Sequence, residues 1–123
     1  MNRWLFKTEP SAYSFERLVK EGRTVWDGVA NALALKHLRQ VRKGDEIAIY
    51  HTGSVKAVVG IARAAADARG DAVEIIPLKP SGPVSLASLK ADPRFKDFAL
   101  VRMGRLSIMP VPASLWGTLV GSR

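Results

Sequence analysis

The sequence predicts an α/β chain of the α+β kind: a small mixed β-barrel with peripheral helices, formed as one domain over residues 1–123. Three observations predict it. Several short apolar or alternating segments are bounded by turn residues, the pattern of a small barrel. Both long helical patterns fall in the first third, so the regular strand–helix alternation of a doubly wound parallel sheet is missing. The chain also has no internal repeat, no low-complexity run and no linker, and its 123 residues suffice for one independent core.

The elements follow in order. "RWLFK" (3–7) is a short apolar strand, and "TEP" turns out of it. Ser14 caps a helix "FERLVKEG", with Phe15, Leu18 and Val19 on one face and Gly22 as its stop. "RTVWDGV" (23–29) is a loop or a brief extended piece. Asn31 opens a second helix whose Ala34, Leu35, Leu38 and Val41 recur at helical spacing towards the core. Lys36, Arg39 and Lys43 recur on its other side, and "KGD" (43–45) ends it. "EIAIYH" (46–51) alternates as a strand; "AVVGIARAAA" and "AVEIIPLK" (72–79) are two more, joined by "DARGD". "SGPVSLASLK" begins as loop and continues as a short helix capped by Ser85. "RLSIMP" (105–110) is the last strand, and Pro112 suits the first turn of a closing helix that stops at Gly121.

Composition narrows the function. Hydrophobic residues at 47% and charged residues at 24% are an ordinary globular balance. No apolar run approaches the ~20 residues of a bilayer span. "MNRWLFKTEP" lacks the apolar core of a signal peptide. With no Cys there is neither a disulfide framework nor thiolate chemistry, which places the chain in the cytoplasm or another intracellular compartment. Nineteen Lys and Arg against eleven Asp and Glu give a net charge of +8. Such an excess attracts polyanions. A membrane would call for a basic amphipathic helix or a lipidation motif, and neither is present, so nucleic acid is the favoured partner.

Catalytic signatures are mostly absent: no Gly-rich phosphate loop, no nucleophile elbow and no His-Glu-x-x-His. His37 and His51 are the only histidines, so no metal site and no cofactor are expected. Stacking fits better. A planar base needs a wall against its face and hydrogen-bonding groups along its edge. Trp26 sits beside Gly28, which allows close backbone approach, and Asn31 offers both donor and acceptor. A Trp ordinarily fills core, and Trp4 and Trp116 are read that way. Met109 and Pro110 are suitable apolar contacts for a methylated base.

"WLFKTEP", "VWDGVANALA", "GDEIAIYHTG", "VVGIARA", "VSLASLK" and "RLSIMPV" resemble, in this order, the segments of EVE domains. These belong to the PUA-like barrels and are related to the YTH readers of methylated adenine. The resemblance implies a non-catalytic pocket for a modified base in DNA or RNA, walled by Trp26, with Asn31 on the base edge. It places Lys7, Thr8, Glu9 and Pro10 at the mouth with Tyr50, His51 and Thr52, and Ser107 to Pro110, Met109 included, on another side. The chain also departs from the family pattern. Ala30 stands where Arg is usual, and Leu35 and Lys36 stand for Arg and Asn. "DARGD" replaces a longer acidic, aromatic insert. Either the phosphate backbone is gripped by Lys36, Arg39 and Lys43, or the ligand differs. Two other readings stand beside this one: an enzyme acting on a nucleotide or nucleic acid through His51, and a protein-interaction domain for an acidic partner.

Overall fold

In a computed structural model that describes residues 1–121, six strands form one mixed, curled half-barrel sheet in the order β2-β5-β4-β3-β1-β6. The strands are β1 (Arg3–Thr8), β2 (Thr24–Trp26), β3 (Glu46–His51), β4 (Ala57–Ala64), β5 (Val73–Ser85) and β6 (Ile108–Pro110). The helices are α1 (Phe15–Glu21), α2 (Ala32–Leu38), α3 (Leu86–Ala91), α4 (Ala99–Arg102) and α5 (Ala113–Leu119). A 3-10 turn at Pro93–Phe95 and α4 occupy a stretch for which the sequence pattern predicts no element.

β1 and β3 run parallel, from Arg3 opposite Glu46 to Thr8 opposite His51. Parallel strands need a long crossover, and here it comprises α1, β2 and α2. Trp4, Leu5 and Phe6 are all buried, as befits a strand covered on both faces. The buried Asp45 carboxylate fixes the start of both strands. It accepts from the Asn2 amide at 3.0 Å, the Trp4 indole N–H at 2.9 Å and the Arg42 amide at 3.0 Å. A buried carboxylate persists because three donors replace its water.

Local signals place several elements where the sequence predicts them. The Ser14 hydroxyl accepts from the Arg17 amide, and Gly22 ends α1 at φ 78°. The Ser85 hydroxyl likewise caps α3 through the Ser88 amide. Trp4 and Trp116 are core, at 3% and 8% exposure.

Three predictions need correction. Val19 is exposed, because the buried face of α1 is carried by Phe15 and Leu18 alone. α2 ends at Leu38, before Lys43; Val41 is still buried, in the turn that follows, and Leu35 is half-buried. β5 continues to Ser85 through Pro77, Pro80 and Pro83, although 81–84 is expected to be loop. The reason is edge position. β2 pairs with β5 only at Val73 to Ile75, so beyond that point one side of β5 has no neighbour strand to which a backbone N–H must donate. Register shifts opposite β4 absorb the irregularity.

Candidate functional site

The carboxyl end of β1, the edge strand β2 and the loop into α2 surround a cavity of about 430 Å³. Its lining includes Lys7, Thr8, Glu9, Tyr13, Trp26, Asp27 and Ser107. Gly28 adopts φ 71° in this loop, with open space where a side chain would begin. That conformation, rare for residues with a Cβ, turns the chain from β2 towards α2 without filling the cavity.

Trp26 is half-buried, its inner side against the core and the rest in the lining. The Phe6 ring lies 5.4 Å away, tilted by 52°, and the Tyr13 ring 6.0 Å away, edge-on at 89°. These contacts fix the plane of the indole. Tyr13 is itself anchored: its hydroxyl donates to Glu21 at 2.6 Å, and the Arg17 guanidinium lies 5.0 Å from its ring. Burial, then the bond to Glu21, hold the Tyr13 hydroxyl above its usual range and keep it protonated.

The rim mixes one cation with two carboxylates, Glu9 and Asp27. Lys7 donates to the Gly104 carbonyl at 2.9 Å, and its ammonium lies 5.9 Å from the Tyr50 ring. Burial lowers the Lys7 pKa from its ordinary value. Glu9 accepts from the Thr52 hydroxyl at 3.1 Å, which ties the β1 turn to the end of β3. Acceptors at a mouth beside a flat indole suit a planar ligand that carries N–H donors.

The structure divides the residues expected at the site. Lys7, Thr8, Glu9, Trp26 and Ser107 meet in this cavity. Asn31 does not line it. Its side-chain oxygen accepts from the Ala34 amide at 3.0 Å, capping α2, and the residue borders a separate cleft with Leu33 and Arg105. Pro10 is half-buried and outside the lining. Met109 is fully buried, paired with Leu5 in the sheet, so it offers no face to a ligand here. Pro110 is exposed but borders an apolar groove containing Leu33 and Phe98. Tyr50 and Thr52 line a neighbouring cavity that shares only Lys7 with the first.

His51 is buried at 4% exposure, and its Nε2 accepts from the Phe15 amide at 3.0 Å. Desolvation lowers its pKa, against weaker opposing effects of Glu16 and Glu9. Its Nε2 lone pair is thus committed to the start of α1. Among the described residues no group of three or more His, Asp or Glu is placed to hold a metal ion.

A model of the EVE domain matches residues 2–121. The chain belongs to the EVE family. Solved structures agree with this. The EVE domain is similar to Rpa0253 from Rhodopseudomonas palustris, with 36% identity and a TM-score of 0.92, covering 98% of this chain and 92% of that one. Atu2648 from Agrobacterium tumefaciens is 31% identical with a TM-score of 0.91 over 98% of this chain and 92% of that one. Human THYN1, solved in complex with 5-methylcytosine containing DNA, shares the fold at a TM-score of 0.91 and 22% identity, over 98% of this chain and 96% of its own. No curated protein sequence matched the chain.

Sequence reasoning misses Tyr13, Thr24 and Asp27 of this cavity. Tyr13 carries one sign, an aromatic directly before a helix cap; the other two are ordinary turn residues until β2 pairs with β5. One of the three cations predicted to face the backbone, Arg39, is also less free than spacing suggests. Arg39 donates from Nε at 2.9 Å and from an Nη at 2.6 Å to Asp71. No helix among the described residues is long and apolar enough to cross a membrane.

Proposed function

We propose that this EVE domain is a non-catalytic module that binds nucleic acid by accepting a modified base into the Trp26 cavity. The observation that carries the reading is the indole itself: a half-buried ring, braced by Phe6 and Tyr13, beside a cavity of about 430 Å³. Flipped bases are recognised by stacking and by contacts to their edges. Glu9 and Asp27 are acceptors for an exocyclic amine, the chemistry by which carboxylates recognise the cytosine N4 group. An amino base of the cytosine or adenine type therefore suits this rim. The complex of human THYN1 with 5-methylcytosine containing DNA supports the reading from a shared fold. The net charge of +8 supplies the attraction to a polyanion.

The enzyme reading has less support. A general base needs a free lone pair within reach of the substrate, and the His51 Nε2 is occupied by the Phe15 amide.

The test compares two tryptophans. Base stacking is worth ~1–3 kcal/mol by alanine substitution. Trp26→Ala should remove that from binding to DNA and RNA oligonucleotides, with or without 5-methylcytosine, while thermal melts change modestly. Trp116→Ala, in the core, should lower stability by ~3–5 kcal/mol. Unchanged oligonucleotide affinity in a folded Trp26→Ala would sink the proposal.

A further inference from the structure

We propose that a second cavity, walled by Lys7, Lys56 and Lys90, is the seat of the phosphodiester backbone of the strand whose base enters the Trp26 cavity; this inference rests on the function proposed above. The cavity measures about 230 Å³ and lies between the turn after β3 and helix α3. Lys7 lines both cavities, so the two adjoin through one side chain. The Thr52 hydroxyl and Gly53 complete the polar side of the second cavity.

The fold itself gathers the lysines of this groove. Among the described residues neither Lys56 nor Lys90, like the other lysines, is in an ion pair, so both ammonium groups are available to a ligand. Lys56 is the one residue other than glycine with positive φ among those described, at 47°. Such a backbone persists only where its surroundings hold it. The hold is visible: the Leu86 amide donates to the Lys56 carbonyl at 2.8 Å, tying the turn to the start of α3. Lys90, in the last turn of that helix, is thereby brought to the same cavity as Lys56 and Lys7. The Glu9 carboxylate accepts from the Thr52 hydroxyl at 3.1 Å and lies against Gly53, at the border between the two cavities.

The experiment measures affinity of the full chain for single-stranded DNA containing 5-methylcytosine, its unmodified match and polyglutamate, across a salt series. The variants are Lys56→Gln/Lys90→Gln, Lys36→Gln/Lys43→Gln and Trp26→Ala. Each phosphate contact in a single strand contributes ~0.7 to the slope of log affinity against log salt. The groove variant should lose roughly 1.4 of that slope and bind roughly tenfold more weakly at moderate salt, with the modified-to-unmodified ratio kept. The Lys36→Gln/Lys43→Gln variant should lose less. A groove variant with the wild-type slope overturns the inference, even where Trp26→Ala abolishes binding and so upholds the base cavity. Loss of slope in the groove variant together with an unaffected Trp26→Ala upholds the groove and rejects the base cavity. An equal loss for polyglutamate overturns the assignment to phosphodiester.

Discussion

Asn31 and His51 each commit one side-chain atom to the fold, and that bond sets what their substitution does first. The Asn31 oxygen caps α2 through the Ala34 amide, so its removal acts first on the helix. Asn31→Ala should lower stability by ~0.5–2 kcal/mol in denaturant unfolding, the range for a lost cap. Its preference between modified and unmodified oligonucleotides should persist, and Asn31→Asp should restore stability. A collapse of that preference would make Asn31 an edge reader after all. His51 enters the fold neutral, accepting from Phe15, with its pKa pushed below the ordinary 6.5 by burial. Because the folded value is the lower one, its contribution is complete above pH 6.5 and is lost as pH falls through the depressed value. His37, lowered by burial and by Lys36, acts with the same sign. Thermal melts from pH 8 to pH 5 should therefore show falling stability in the wild type and a flatter profile in His51→Gln. Identical profiles would remove His51 from the account.

Elements meet in this protein at a few crowded points, and Gly60 is the tightest. It lies in β4 at a register shift, and a Cβ there would run into the Phe15 ring. The absent side chain lets α1 lie down on the sheet, which in turn aims the Phe15 amide at His51. Gly60→Ala should overpack this contact and lower stability by ~1–3 kcal/mol in denaturant unfolding. Phe15→Leu added to Gly60→Ala should recover part of the loss; a neutral Gly60→Ala would contradict the packing described. The same locality explains what the sequence makes legible. Ser14, Ser85 and Gly22 announce helix ends because their chemistry acts within a turn. The course of β5 through three prolines is hidden, since it depends on how far β2 reaches along its other side. Met109 looks available beside Pro110, yet its pairing with Leu5 buries it. Trp26 and Lys7 are readable through the family segments, while Asp27 and Tyr13 join them only once β1, α1 and β2 come together.

At the scale of the whole molecule, the sheet order brings the carboxyl ends of the parallel pair β1 and β3 to one edge of the candidate interface. The Trp26 cavity lies on the β1 side of that edge and the lysine groove on the β3 side, with Lys7 between them. A net charge of +8 attracts polyanions without selecting among them; in the proposed function, selection among bases falls to the cavity. The central claim is that a base occupies the Trp26 cavity. It is tested most directly by NMR titration of the full chain with an oligonucleotide containing 5-methylcytosine, following the Trp26 indole N–H and the amides of Lys7, Asp27, Gly28 and Ser107. The account predicts that these resonances shift most, with the indole moving furthest under the ring current of a stacked base. Saturating binding that leaves the Trp26 indole in place, with its largest shifts at the apolar groove of Leu33, Phe98 and Pro110, would contradict it.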